Sequence, residues 1–138
     1  ATVIAMLFGD AGKLILKSPS FVPSLAVLDP LLVTSLPPAP TAATGLDALA
    51  HALEAYISLN ASPVSDAAAV QAATLVARWL EVAYRDGADV EARRQTLVAA
   101  HLAGHALNAG VVVGHSMAYV LAEEAHLSHG VSAAMALP

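Results

Sequence analysis

The sequence predicts an α+β fold, in which an N-terminal β-hairpin and one further strand precede a mainly α-helical domain. Short apolar runs separated by Gly, Asp and Pro occupy residues 1–36, and this pattern is typical of strands and turns. After a cluster of prolines, long Ala- and Leu-rich stretches with helical spacing begin at Thr41. We therefore predict a β-rich part at 1–36 and a helical part at 37–138.

The β-rich part contains three predicted strands. Apolar runs at residues 2–8 and 13–16 flank the turn-forming sequence Gly-Asp-Ala-Gly at 9–12, which indicates a hairpin. The run Leu-Ala-Val-Leu at 25–28, stopped by Asp-Pro, is predicted to be one buried strand. The prolines within 37–40 are expected to end strand structure.

Four helices are expected in the second part, each bounded by capping residues or by Gly and Pro. A further apolar segment follows a Ser-His-Gly turn near the C-terminus. The expected bounds are Thr41 to Tyr56, Ser62 to Gly87, Asp89 to about Gly110, and about Gly114 to Glu124.

Composition and charge exclude several classes of function. The formal net charge of −5, with only six Lys and Arg, argues against nucleic-acid binding, which needs clustered cations. No apolar run reaches the ~18 residues of a membrane-spanning helix. The chain has no cysteine, so a metal site must use His and carboxylate ligands. The N-terminus lacks the basic region of a signal peptide, and we expect a cytoplasmic location.

The surface is expected to be covered in part by another protein surface. Charged residues make up 12% of the chain, against about 25% in typical soluble domains, and 57% of residues are hydrophobic. An excess of apolar surface of this kind predicts packing against another domain or a second copy of the chain.

Asp47 and His51 are the first candidate pair for metal binding. Their i,i+4 spacing on a predicted helix places both side chains on one face, where they could hold one cation or form an ion pair. Almost all their neighbours are apolar, and a carboxylate in such surroundings needs a partner that offsets its desolvation.

His115 and His129 are the second candidates, and each adjoins a glycine that permits close approach. Together with the first pair they make a set of one Asp and three His, which suits Zn or Fe(II). The alternative is that each histidine is satisfied within the core or at a helix end.

Other histidines leave alternatives open. His101 and His105 also have i,i+4 spacing on a predicted helix, so spacing cannot choose between the two pairs. No Glu follows His101 in an HExxH arrangement, which removes the zincin interpretation. His126 lies three residues before His129 and is a candidate for a supporting or an exposed position. The sequence contains no GxSxG elbow, GxGxxG motif or Walker loop.

Four stretches resemble one known family. TAATGLDALAHALEAY at residues 41–56 is similar to the TAATGxDALxHAxEAY signature of the iron-containing (group III) alcohol dehydrogenases. Residues 103–118, AGHALNAGVVVGHSMA, resemble the family's AGxAxxNAGxGxxHxMAH stretch. Ser-His-Gly at 128–130 resembles its PHG. Residues 18–30 are similar to SPxxVPxxxxxDP. The resemblance implies four metal ligands, which are Asp47, His51, His115 and His129.

The resemblance also implies an architecture. It predicts the dehydroquinate-synthase-like fold truncated at both ends, with 1–36 as a remnant of the dinucleotide-binding domain and 37–138 as a truncated helical metal-binding domain. The GGGS and TTxGTGSE segments with which the family holds the pyrophosphate are not in this sequence. Lys13 resembles a hairpin lysine that the family places near the cofactor. Tyr119 stands where the family commonly has a histidine beside the nicotinamide, so we expect it at the catalytic position.

The implied function is a metal-dependent, NAD(P)-linked oxidoreductase that interconverts an alcohol and an aldehyde or ketone, here as a fragment or truncated form. The expected cofactors are Fe(II) or Zn(II) and NAD(P). The expected partners are a small alcohol or aldehyde and either a homo-oligomer or a complementing dinucleotide-binding domain. Alternatives are an inactive metal-binding remnant that needs a partner, a purely structural helical module, and the zinc chemistry of the related dehydroquinate synthases and glycerol dehydrogenases.

Overall fold

The computed structural model describes residues 4–9 and 12–137, in which a two-stranded hairpin precedes five α-helices. Strands β1 (Ile4–Gly9) and β2 (Gly12–Lys17) pair antiparallel, with Phe8 opposite Lys13. The predicted turn at residues 10–11 and the side chain of Lys13 lie outside the described part of the chain.

The predicted strand at 25–28 is wrong. Within residues 18–36 the structure has two short 3-10 helices, Pro19–Phe21 and Pro30–Val33, joined by irregular backbone. Leu25 and Val27 are each 78% exposed, so the run is not buried either. An apolar run becomes a strand only when a neighbouring strand satisfies its backbone groups, and no described strand lies beside it.

The first four helices match the predicted order but not every boundary. The expected Ser-His-Gly turn is wrong at His129 and Gly130, because both are helical and begin a fifth helix that was expected only as an apolar segment. The first helix begins within the proline cluster rather than after it, because Pro38 occupies the first helical position, where a missing N–H costs no hydrogen bond. The helices are α1 (Pro38–Tyr56), α2 (Pro63–Arg85), α3 (Val90–Ala106), α4 (Val113–Glu124) and α5 (His129–Met135).

Local caps explain where α2 and α3 begin. The Ser62 hydroxyl accepts a hydrogen bond from the Ser65 backbone N–H, and the Ser65 hydroxyl accepts one from the Ser62 backbone N–H, which makes a capping box. The Asp89 carboxylate accepts from the Ala92 N–H at 2.9 Å, as predicted for a cap of the third helix.

Helices α1, α2 and α3 pack through a core built almost entirely of alanine. Small side chains let the helix backbones approach closely. The buried members are Ala48, Ala52, Ala55, Ala69, Ala72, Ala103 and Ala106.

A buried arginine ties α3 to the start of α1. Arg93 is 2% exposed, and its guanidinium donates to the Thr41 hydroxyl at 2.7 Å, the Leu36 carbonyl at 2.7 Å and the Gly87 carbonyl at 2.9 Å. Since a buried cation is costly without partners, these three hydrogen bonds are needed to keep it in place. They hold the N-terminal turn of α1 against α3.

The opposite side of α1 packs on α4 and α5. Ala50, Ala118 and Ala133 form a second buried cluster there. Helix α1 therefore lies between two layers, and its second face is the one that reaches α4 and α5.

No single helix in the described residues is long and apolar enough to cross a membrane. One pair, Val90–Ala109 with Val113–Glu124, reaches the needed length and composition only when the two are taken together across a 111° bend.

Candidate metal centre

Helix α1 contributes two of the four predicted ligands. Asp47 and His51 are one helical turn apart, and both are half-buried on the face that packs against α4 and α5. His51 Nδ1 lies 3.9 Å from Asp47 Oδ2. The local helix therefore presents a carboxylate and an imidazole to the same space.

Helices α4 and α5 bring the other two predicted ligands to the same carboxylate. His115, in the first turn of α4, places Nε2 at 3.6 Å from Asp47 Oδ1. His129, the first residue of α5, places Nε2 at 3.5 Å from the same oxygen. The structure thus brings together four residues that are up to 82 positions apart in the chain.

The centre has unsatisfied atoms that fit a cation. Asp47 Oδ1 and His115 Nε2 are buried and have no hydrogen-bond partner, whereas buried polar atoms are nearly always paired. Ligand atoms of Asp47, His51 and His115 lie within 4.8 Å of one another. A tetrahedral ion bonded at about 2.1 Å separates its ligand atoms by roughly 3.4 Å, close to the two distances at Asp47 Oδ1.

Burial and neighbouring charge compete in setting the pKa of each group at the centre. Burial by itself raises the pKa of Asp47, but its contact with His115 and the charges of His51 and His129 outweigh burial and lower the pKa. Burial likewise lowers the pKa of His115, but its contacts with the Asp47 and Glu54 carboxylates more than reverse this, so the pKa is raised. For His51, burial prevails over the charge of Asp47 and the pKa is lowered.

The imidazole rings lie against one another. The rings of His51 and His115 are stacked, with centroids 4.4 Å apart and an interplanar angle of 22°. The ring of His129 is tilted against His115, with centroids 5.5 Å apart. Packing among the rings restricts their orientation before any ligand arrives.

Glu54 is a member of the centre that the sequence analysis did not single out. Its carboxylate contacts His115 Nδ1 at 2.6 Å and accepts from the Val112 N–H at 2.7 Å. Only 3% of Glu54 is exposed. Its position seven residues after Asp47 and three after His51 was the available signal, since that spacing keeps it on the same helix face.

Comparison with known proteins agrees with the motifs in the sequence. The model of the Fe-containing alcohol dehydrogenase family, C-terminal, matches residues 41–138. The chain belongs to the iron-containing alcohol dehydrogenase family. The resemblance inferred from the sequence motifs is therefore confirmed, and the mostly helical fold is that of its structural neighbours.

Several members of this family are similar over almost the whole chain. Long-chain-alcohol dehydrogenase 1 of Geobacillus thermodenitrificans is 44% identical over 138 residues, which is 99% of this chain and 35% of that protein. The crystal structure of a 1,3-propanediol oxidoreductase is 43% identical with a TM-score of 0.91, and the match covers 96% of this chain and 35% of that one. The chain spans about a third of the length of these relatives.

A third relative was solved with a nicotinamide cofactor. Sulfoacetaldehyde reductase from Bifidobacterium kashiwanohense, in complex with NAD+, is 32% identical with a TM-score of 0.92. That match covers 96% of this chain and 36% of the reductase.

Tyr119, the residue expected at the family's catalytic position, lies at the edge of the centre. Its ring stacks on His129, with centroids 5.4 Å apart and an interplanar angle of 18°, and lies 6.5 Å from the ring of His115. Burial raises the pKa of Tyr119, and the charges of Asp47 and Glu54 raise it further. The phenol is thus held in its protonated form near the predicted ligands.

The remaining histidines lie elsewhere. His101 and His105 are on α3, with their Nε2 atoms 3.1 Å apart, and α3 packs mainly against α1 and α2 rather than α4 and α5. His126 is exposed in the turn before α5, where its φ is 53°. The tertiary structure therefore separates the rival pair from Asp47, a distinction that sequence spacing could not make.

Proposed function

We propose that this chain supplies the metal-binding part of an NAD(P)-linked oxidoreductase that interconverts an alcohol and an aldehyde or ketone. The ligands in this proposal are Asp47, His51, His115 and His129. The observation that carries it is the pair of buried, unpartnered atoms, Asp47 Oδ1 and His115 Nε2, facing each other at 3.6 Å. Two acceptors so placed repel unless a proton or a cation lies between them.

The donor set favours Fe(II) or Zn(II) over other ions. One carboxylate and three imidazoles are borderline ligands, and the chain has no thiolate to select a softer metal. When bound, such an ion would act as a Lewis acid that polarises the oxygen of an alcohol or carbonyl substrate.

The residues around the ligands would determine the side from which substrate and nicotinamide approach. The His115 side chain is 2% exposed and closes the inner side of the centre, whereas His129 is 40% exposed and marks the open side. We expect substrate and nicotinamide to approach over His129. Tyr119, stacked on that ring, would hold a proton at its hydroxyl beside the approaching oxygen.

We assign capture of the dinucleotide to polypeptide other than these 138 residues. The sequence contains neither of the family's pyrophosphate-binding segments, and the relatives are about three times as long. A dinucleotide-binding domain that packs against this chain, in a cytoplasmic protein, completes the proposal. In the same proposal, Lys13 lies near the bound cofactor.

The metal site can be tested directly on the purified chain. We expect about one Fe(II) or Zn(II) per chain after anaerobic loading and desalting, measured by elemental analysis, and loss of this metal in an Asp47→Ala/His115→Ala variant. A His101→Ala/His105→Ala variant is the matched control, since it also removes two potential ligands, and it should retain the metal.

Circular dichroism would establish that every variant is folded. A folded parent chain that binds no metal would overturn the proposal. Loss of metal in the His101→Ala/His105→Ala variant alone would overturn it as well. Those outcomes would favour a structural helical module in which the same histidines are core groups.

A further inference from the structure

We propose that Glu54 is a positioning residue that sets the tautomer of His115, so that Nε2 carries the free lone pair directed at Asp47. The expected effect on metal binding rests on the proposed function. The hydrogen bonds of Glu54, from which the tautomer is inferred, involve no metal. Glu54 touches neither Asp47 nor the open side of the centre in the contacts described. It acts through His115.

The hydrogen bonds around Glu54 leave little freedom. The Val112 backbone N–H can only donate, so Glu54 Oε2 accepts from it at 2.7 Å. Glu54 Oε1 lies 2.6 Å from His115 Nδ1, and an ionised carboxylate can only accept. The neutral imidazole must therefore carry its proton on Nδ1.

The consequence falls on the other ring nitrogen. A neutral imidazole has one N–H, so a proton on Nδ1 leaves Nε2 with a free lone pair. That atom is the buried, unpartnered nitrogen 3.6 Å from Asp47 Oδ1. A hydrogen bond from a carboxylate to the remote nitrogen of a metal-binding histidine is the usual way to fix ring orientation and raise ligand basicity.

Gly114 makes this contact possible. A Cβ added at Gly114 would meet Glu54 Oε1 at 2.6 Å and Cδ at 3.0 Å. A side chain at this position would therefore force the carboxylate away from His115 Nδ1. The three residues Val112, Gly114 and His115 thus form one receptor for the Glu54 carboxylate at the start of α4.

Replacing Glu54 by Gln separates positioning from simple packing. Gln has nearly the same shape, but its amide has one acceptor and one donor end. If the amide oxygen accepts from Val112, the amide NH₂ faces His115 Nδ1 and favours the tautomer with the proton on Nε2. That tautomer cannot offer Nε2 to a metal.

The test compares the metal-free parent with Glu54→Gln and Gly114→Ala, using ¹⁵N NMR of histidine-labelled chain at a pH where the imidazoles are neutral. We expect the parent His115 to be protonated on Nδ1, and Glu54→Gln to move the signal toward the Nε2-protonated form. Gly114→Ala, which keeps the carboxylate, should shift it in the same direction. Glu124→Gln, at the exposed end of α4, is the control and should change nothing.

A second arm measures Zn(II) affinity by competition with a chromogenic chelator. Loss of a supporting carboxylate typically lowers metal affinity about 10- to 100-fold, and we expect that range for Glu54→Gln. A variant that lowers the melting temperature but leaves the His115 tautomer unchanged would overturn the proposal in favour of a merely structural role. A parent with the expected tautomer but no Zn(II) binding would instead contradict the proposed function alone.

If Glu54→Gln does not fold, the Gly114→Ala variant tests whether Glu54 sets the tautomer of His115. An unchanged tautomer in a folded Gly114→Ala chain would also overturn the proposal, because the added Cβ must displace Oε1.

Discussion

Charged residues of this chain titrate in two different settings. Around Asp47 the groups are half-buried or buried, and their pKa shifts reflect a competition between desolvation and neighbouring charge. On the exposed surface of α3, the pair Glu91 and Arg94 is governed by direct hydrogen bonds, at 2.8 and 2.6 Å. The second setting allows a pH prediction that does not depend on any metal.

We expect Glu91 to stabilise the fold in a pH-dependent manner. Hydrogen bonds from Arg94, and then from Gln95, lower the pKa of Glu91 from 4.5 to about 2. A group with a lowered folded-state pKa contributes stability above its unfolded-state value and loses it as pH falls through the folded-state value. The difference in unfolding free energy between the parent and Glu91→Gln should therefore be constant above about pH 4.5 and shrink toward pH 2.

Urea unfolding of both chains over this pH range would measure the difference. The effect should be small and weakened by salt, because both side chains of the pair are exposed to solvent. An Arg94→Gln variant should remove most of the pH dependence. A difference that stays the same from neutral pH to pH 2 would contradict the prediction.

The close packing of α5 against α1 determines where His129 lies. A Cβ at Gly130 would collide with the carbonyl oxygen of Ala43 and lie 2.7 Å from its carbon, so the two helix backbones are in direct contact. Backbone atoms cannot rotate away as a side chain can. The absence of a side chain at Gly130 is therefore needed for α5 to hold His129 beside Asp47.

We expect Gly130→Ala to weaken metal binding by displacing α5. Overpacking of this kind typically destabilises by about 1–3 kcal/mol, although alanine is the better helix former. Zn(II) affinity and thermal unfolding would be measured together. Affinity should fall because His129 moves away from Asp47.

Gly45→Ala is the matched control for this change. A Cβ at Gly45 would collide with the flexible Leu80 side chain on the α2 side of α1. It should alter stability while leaving metal affinity close to that of the parent. Equal loss of affinity in both variants would contradict the role given to the α1–α5 contact.

The molecule as a whole has an apolar segment that its own helices do not cover. Within residues 25–32, four large aliphatic side chains are between 64% and 80% exposed, namely Leu25, Val27, Leu31 and Leu32. A cluster of exposed large apolar side chains in one short segment is typical of a surface that packs against other polypeptide. It agrees with the low charged fraction of the sequence and with the proposal that further polypeptide packs against this chain.

We expect the isolated chain to self-associate through this segment. Sedimentation velocity over a range of concentrations should show association in the parent and less in a Val27→Ser/Leu32→Ser variant, because the substitution removes apolar surface. Leu59→Ser is the control, since Leu59 is fully exposed in the turn after α1 and lies outside the segment. Equal association in both variants would contradict the assignment.

The sequence by itself determined the features that depend on local spacing. The first four helices could be predicted because their periodicity, caps and breaking residues act within a few residues. For the same reason Asp47 and His51 could be placed on one face. The family motifs then pointed to His115 and His129, which no local rule connects to α1.

Only the tertiary structure decided what depends on long-range packing. It separated His101 and His105 from Asp47, revealed Glu54 as the partner of His115, and left residues 25–28 without a neighbouring strand. The positions of the histidines and of Glu54 depend on which helices meet, and Gly114 permits the contact between Glu54 and the start of α4. Local periodicity indicates that a helix forms, but the packing of its neighbours decides which of its polar side chains share one site.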